Sequence, residues 1–192
     1  MKLLMTGFMP FGGGTDNPSF DCLRALPAQV EHVEIHTMEL PVTFRQAPAA
    51  LGEALDRLAP DAVICLGLAM GRRKVTPEKI AINLAHARIP DNEGAQPRQE
   101  LLVPGGPDGI FSTLPVFDLV RALEAEGIPA DVSCSAGAYV CNCLFYHLMT
   151  WAVPRNIPAG FIHVPSTQDL PLEETTRAVR TVIRCLAANA GR

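Results

Sequence analysis

The sequence predicts an α/β fold: a single-domain, three-layer α/β/α sandwich around a twisted, mainly parallel central sheet. Two observations carry that prediction. Short apolar runs at Lys2–Thr6, Asp61–Leu66 and Gly160–Val164 each stop at a glycine or proline, as buried parallel strands do. Between them lie longer stretches with apolar residues at helical spacing, and strands alternating with helices build such a sheet. The length of 192 residues suits one domain, 1–192, with one sizeable core.

Lys2–Thr6 reads as the first buried strand, followed by the glycine-rich loop Gly7-Phe8-Met9-Pro10-Phe11-Gly12-Gly13-Gly14. Asn17 before Pro18 is a good helix start, since asparagine caps the first turn and proline suits the first helical position. A short helix over Phe20–Leu26 then stops at Pro27. Val30–Leu40 alternates apolar and polar residues and reads as a strand near a sheet edge. Phe44–Leu58 carries Leu51, Leu55 and Leu58 at helical spacing. Asp61–Leu66 is a central strand, and Gly71-Arg72-Arg73-Lys74 is a basic loop. Glu78–Leu84 alternates enough to be one strand, and Pro90–Pro107 is a long irregular excursion of the kind that often carries function. Leu114–Glu126 is a helix, Ala130–Ser133 a short strand, Ala138–Val153 a helix free of Gly and Pro, and Leu172–Ala188 the last helix.

Composition excludes several classes. Apolar residues make up 48% of the chain, which argues for a globular protein, and the net charge of -4 has no long run of one sign to attract nucleic acid or an anionic membrane. No apolar run approaches the roughly 18 residues of a membrane span. The opening residues do not form an export signal, so a cytoplasmic location and reduced thiols are expected for the six cysteines. Cys141 and Cys143 form C-x-C with His147 four residues on, but zinc-ligand spacings are not met and no metal is expected. Gly12-Gly13-Gly14 lacks the residues of a phosphate loop.

The chemistry centres on Ser135-Ala136-Gly137-Ala138-Tyr139-Val140-Cys141-Asn142. It places Cys141 in the first turn of a helix, where unpaired N–H groups favour a thiolate and can hold an oxyanion. A small buried core cysteine would occupy the same position equally well. A thiol nucleophile needs a base. His163 closes the most apolar strand, where a polar side chain must have a partner; it reads either as that base or as a satisfied core histidine. For an acid to orient the base, Glu78, Asp91 and Glu93 compete, and spacing does not choose among them. Phe8 and Phe11 suit an apolar pocket wall.

Together these segments resemble the pyroglutamyl peptidase I (pyrrolidone-carboxylate peptidase) family of cysteine peptidases. The likeness runs nearly end to end. It rests on Thr6-Gly7-Phe8-Met9-Pro10-Phe11-Gly12-Gly13 with Asn17-Pro18-Ser19, on Gly71-Arg72, and on Pro77-Glu78-Lys79-Ile80-Ala81-Ile82-Asn83. It continues through Ala87-Arg88-Ile89-Pro90-Asp91-Asn92-Glu93-Gly94, Phe111-Ser112-Thr113-Leu114-Pro115, the Cys141 segment and Phe161-Ile162-His163-Val164-Pro165. The resemblance implies Cys141 as nucleophile, His163 as general base and acid, and Glu78 as orienting acid. It implies removal of N-terminal 5-oxoproline from peptides through a thioester, without cofactor or metal. It implies substrate contacts at Phe8, Phe11, Asn17, Leu68, Arg88, Ile89, Tyr139 and Val140, and a homo-oligomer, commonly a tetramer. Leu68 stands where the family commonly has Gln, Ala138 where it often has Thr, and Ser166 where an aromatic is usual. Rival readings are a binder of cyclised N-termini without cleavage, a nucleotide or nucleoside enzyme using the glycine loop and the basic loop, and a core Cys141 with the site elsewhere.

Overall fold

Strand β1 (Lys2–Phe8) is buried over most of its length and runs through the middle of a six-stranded sheet in the computed structural model, which describes residues 1–190. On one side it pairs in parallel with β3 (Val33–Leu40), and beyond that lies the two-residue antiparallel strand β2 (Gln29–Val30). On its other side it pairs in parallel with β4 (Ala62–Leu68), which pairs in parallel with β8 (Ala159–Val164). The two-residue strand β5 (Thr76–Pro77) completes the sheet antiparallel to β8. β1, β4 and β8 are buried on both faces, as strands covered on both sides must be, whereas β3, nearer the margin, alternates buried apolar with more exposed polar residues.

Helices α1 (Pro18–Arg24), α3 (Val116–Ala125) and α5 (Leu172–Ala190) cover one face. There Leu23, Leu119, Leu123, Val182 and Ile183 pack on Leu3, Met5, Ile64 and Ile162. Helices α2 (Gln46–Leu58) and α4 (Val140–Ala152) cover the other, where Leu51, Leu144, Phe145 and Met149 pack on Leu4, Val63, Cys65 and Phe161. Strand alternation sends neighbours to opposite cores: Ile162 belongs to the first, Phe161 to the second. This is the three-layer sandwich expected from the sequence.

Helix α1 starts two residues before the expected Phe20, because the Asn17 Oδ1 accepts from the Ser19 N–H at 3.1 Å with Pro18 in the first turn. Helix α4 starts later than Ala138, since Tyr139 is still extended, and it gives way to a single 3-10 turn at Val153–Arg155, where Pro154 interrupts the ladder.

Three expectations need correction. Glu78–Leu84 is not one strand. The chain leaves the main sheet after β5, and β6 (Ile80–Ile82) pairs instead with β7 (Gly109–Phe111) in a separate two-stranded sheet. The break falls at Glu78, whose N–H still donates to the Phe161 carbonyl at 2.8 Å, whereas the Lys79 N–H turns to Ser133 at 2.6 Å. Strand β7 was not foreseen, being only three residues long. Ala130–Ser133 is not a strand either. It runs beside residues 75–78 through isolated bridges, Val75 to Ala130 and Glu78 to Ser133. Local side-chain bonds compete there: the Asp131 carboxylate accepts from the Val132 N–H and the Ser133 hydroxyl from the Ser135 N–H.

Candidate active site

The carboxyl ends of β1, β4 and β8 open onto one cavity of about 800 Å³. Such ends are where parallel sheets collect their ligands, because the helices that follow begin there. Phe8, Phe11, Asn17, Leu68, Arg88, Ile89, Tyr139 and Cys141 line it, joined by Met70, His86, Thr167 and Gln168, which the sequence did not single out. Val140 does not. Its side chain is fully buried in the core under α2, because the first residue of α4 faces the sheet.

Alternation on β8 puts Phe161 and His163 on the α4 face, their rings 4.9 Å apart. On the adjacent strand Gly67 is the register partner of His163. A Cβ built at Gly67 would stand 3.0 Å from the Cys141 sulfur. The thiol, at the second position of α4, therefore rests on β4 immediately beside His163. Gly137, with φ of 78°, makes the left-handed turn that brings the chain from the sheet edge onto this helix.

On the far side of His163, Nδ1 meets the Glu78 Oε1 at 2.7 Å. Both side chains are withdrawn from solvent, Glu78 completely. The same Oε1 accepts from Arg72 Nη1 at 2.7 Å. Arg72 also donates to the Thr76 hydroxyl at 2.7 Å and, through Nη2, to the Ser135 carbonyl at 3.0 Å. The second carboxylate oxygen of Glu78 is buried without a hydrogen-bond partner. Burial pushes the Glu78 carboxyl upward, but the hydrogen bond and charge of His163, with help from the Ser133 side chain and then Arg72, outweigh it and hold Glu78 below the usual carboxylate range.

Burial, opposed in part by Glu78, lowers His163, which keeps the imidazole neutral. Burial, and then the Glu78 charge, push the Cys141 thiol up to about 12, against the pull of Arg72 and the backbone. The helix N-terminus alone points to a thiolate; in the folded protein desolvation wins. The resting pair is a neutral thiol beside a neutral imidazole whose tautomer is set by an ionised carboxylate.

The rival acids lie elsewhere. Asp91 is spent on its own turn: Oδ1 accepts from Glu93 N–H at 2.9 Å and Ala95 N–H at 2.8 Å, and Oδ2 from Phe44 N–H at 2.8 Å. Glu93 is exposed and meets Gln46. The basic loop is also spent, with Arg72 on Glu78, Arg73 3.6 Å from Asp169 and Lys74 3.2 Å from Asp131. Each of its cations faces a carboxylate, which weighs against a phosphate-binding role. His147 faces a separate shallow depression with Phe44, Arg45 and Pro48.

The cavity wall beside the thiol is aromatic. Tyr139 packs on Phe11 and Phe44 with centroids 5.6 and 5.3 Å apart, and its hydroxyl donates to the Pro90 carbonyl at 3.0 Å. The Asn17 side chain is committed to the frame: Nδ2 donates to the Met9 carbonyl at 2.9 Å, and Oδ1 accepts from both the Ser19 N–H and hydroxyl. It fixes the loop that carries Phe11. Arg72 was the site residue that sequence reasoning passed over. The signal available was that an ionised buried Glu78 requires a cation, and the nearest basic cluster begins six residues upstream.

The chain as a whole has counterparts among known proteins. The sequence pattern of the family described as pyroglutamyl peptidase matches residues 1–188. A pyrrolidone-carboxylate peptidase of Thermosipho melanesiensis is 44% identical over 176 residues, covering 91% of this chain and 87% of that one. The crystal structure of Bacillus amyloliquefaciens pyroglutamyl peptidase I superposes with a TM-score of 0.94 at 42% identity, covering 97% of each chain. The pyrrolidone carboxyl peptidase of Thermococcus litoralis does so with 0.92 at 35% identity, covering 96% of this chain and 92% of that one. Likeness of this extent in sequence and in backbone places the chain in the pyroglutamyl peptidase family of cysteine-type peptidases.

Proposed function

We propose that Cys141, His163 and Glu78 act as nucleophile, general base and acid, and orienting acid in a pyroglutamyl peptidase that spans the chain as one domain. The family reaction is removal of an N-terminal pyroglutamate. The observation that carries the residue roles is the chain of contacts from the Cys141 sulfur over Gly67, across to His163, and on through Nδ1 to the ionised Glu78.

The substrate is a peptide whose first residue is a neutral lactam ring. Such a ring calls for apolar walls and hydrogen-bonding backbone rather than an ion pair, and the cavity offers Phe8, Phe11 and Tyr139 beside the thiol. Attack by Sγ on the pyroglutamyl carbonyl forms the S–C bond while the thiol proton passes to His163 Nε2. The carbonyl oxygen gains the negative charge, and the free N–H groups in the first turn of α4 face that charge, with Arg88 at the cavity wall. Collapse breaks the C–N bond. His163 delivers its proton to the departing amine and leaves a thioester. Water then attacks, its proton going to His163; the thioester C–S bond breaks, pyroglutamate leaves, and the proton returns to sulfur. Glu78 holds Nδ1–H throughout, so that Nε2 is always the working nitrogen.

Among the described residues no helix is long and apolar enough to cross a membrane. The reading extends to a cytoplasmic enzyme that acts on peptides, not nucleic acid or membrane, and assembles as a homo-tetramer. The test is release of a chromogenic amine from a pyroglutamyl amide, with a prolyl amide as control. Wild type cleaves only the first, and Cys141→Ala loses at least about 1000-fold in kcat. An active Cys141→Ala sinks the assignment. Specific binding without cleavage by reduced wild type revives the reading as a non-catalytic binder.

A further inference from the structure

We propose that Arg72 is a positioning residue of the reaction, a single guanidinium fork that ties the acid to the turn carrying the nucleophile. The inference rests on the roles proposed above for Cys141, His163 and Glu78.

Residues of three separate segments must keep register at this site: Glu78 after β5, His163 on β8, and Cys141 at the head of α4. Glu78 and His163 are held by the sheet and by their own hydrogen bond. The turn 133–137, which delivers α4, has no such frame, since it is bridged to the sheet edge only as far as Ser133. Arg72 closes that gap. One nitrogen reaches the Glu78 Oε1 and the Thr76 hydroxyl, and the other reaches the Ser135 carbonyl, all within 3.0 Å. An arginine does this because its donors diverge in a fixed plane, whereas a lysine ammonium offers one point on a flexible stem. The basic neighbours point elsewhere, Arg73 to Asp169 and Lys74 to Asp131.

Charge follows from the same position. The groups that face the reacting pair are Glu78 after β5, Arg72 from the loop after β4, Cys65 on β4 and Tyr139 at the head of α4, with His86 and Arg88 on the wall of the same cavity. The Arg72 cation lowers both the His163 imidazole and the Cys141 thiol, and the Glu78 anion raises both. Removing the cation leaves the anion unopposed, so both ionisations move up together. A purely architectural arginine would lower activity or stability without moving either ionisation.

The experiment is the pH profile of kcat/KM on a pyroglutamyl amide for wild type, Arg72→Gln and Arg72→Lys. For Arg72→Gln both limbs move toward alkaline pH by about half a unit or more, and kcat falls by about 100-fold while KM stays within about twofold. Arg72→Lys keeps the charge and so keeps the wild-type limbs, but loses the fork and so loses kcat. An active Arg72→Gln with unmoved limbs overturns the inference. If Arg72→Gln does not fold, Arg72→Lys decides: wild-type kcat, or a fall in kcat accompanied by a matching fall in Tm, overturns the inference, and a lowered kcat at wild-type KM and wild-type Tm supports it. An inactive wild type on the same amide sinks the peptidase reading itself, which a changed variant beside an active wild type cannot do.

Discussion

The sulfur of Cys141 lies over Gly67, in contact with the space that any side chain at that position would enter: a Cβ there would meet it at 3.0 Å and the Phe161 ring at 2.7 Å. Neither neighbour is free to give way, since Phe161 is fully buried and Cys141 heads a helix. Gly67→Ala is expected to cost about 2 kcal/mol through overpacking, lowering Tm by about 5 °C. It should also cut kcat by about 100-fold through displacement of the thiol. Calorimetry and steady-state kinetics on the purified variant check both; a variant with wild-type kcat would place the sulfur elsewhere.

Asn142 is the second clamp on the nucleophile's helix. It is fully buried, and its Oδ1 accepts from the Ile82 N–H at 3.0 Å. Its Nδ2 donates to the Ile82 and Leu84 carbonyls at 2.9 and 3.0 Å. These bonds hold α4 to the segment leading to Arg88 and Ile89. Asn142→Ala takes the partner from the Ile82 N–H and the Leu84 carbonyl, while the Ile82 carbonyl keeps the Leu84 N–H, and is expected to destabilise by about 3 kcal/mol, seen as a loss of about 10 °C in thermal unfolding.

The pH profile of wild type follows from the enclosure of the reacting pair. Burial lowers His163 from its ordinary 6.5, and burial with Glu78 lifts Cys141 to about 12. The active form carries one proton shared between the two. The acid limb of kcat/KM therefore falls below pH 6.5, and the decline on the alkaline side begins well above neutrality, giving a broad bell. Rates measured from acid to strongly alkaline pH settle this, and an acid limb above pH 6.5 contradicts it.

Stability responds to the same groups. A histidine depressed in the folded state is protonated first in the unfolded chain, so stability is lost as pH falls below 6.5. A carboxyl depressed in the folded state, as Glu78 is, contributes stability above its ordinary 4.5 that is lost as pH falls through the folded value. Both slopes have the same sign. Urea midpoints are expected to decline from pH 7 toward 5 and to decline faster below 4.5; a midpoint that rises on acidification would refute the ionisation states assigned here.

Much of this was legible in the sequence because local signals agreed with the final packing. The apolar runs became β1, β4 and β8, and Asn17 with Pro18 announced α1. Cys141 could be set in the first turn of a helix from Gly137 and the residues after it. What could not be read was long-range. Glu78 and His163 are 85 residues apart, and only the antiparallel seam of β5 on β8 brings them together. Asp91 looked as suitable as Glu78 until its oxygens were found occupied by backbone donors. Arg72 was masked by Arg73 and Lys74, which make an ordinary solvated loop of the whole run. The split between β5 and β6 was hidden because Ile80 and Ile82 alternate as in one continuing strand, while the hydrogen-bond partners change between Glu78 and Lys79.

The two margins of the main sheet have a consequence for how copies of the protein meet. One margin is β2, two residues long. The other is β5 overlaid by residues 129–133, which open with a proline and join only through isolated bridges. At the β5 margin a strand from another molecule therefore finds no run of unpaired amides on which to add. Edge-to-edge addition is thus blocked at the β5 margin, where self-association has instead the exposed rings of Phe111 on β7 and Phe117 on α3 to build on.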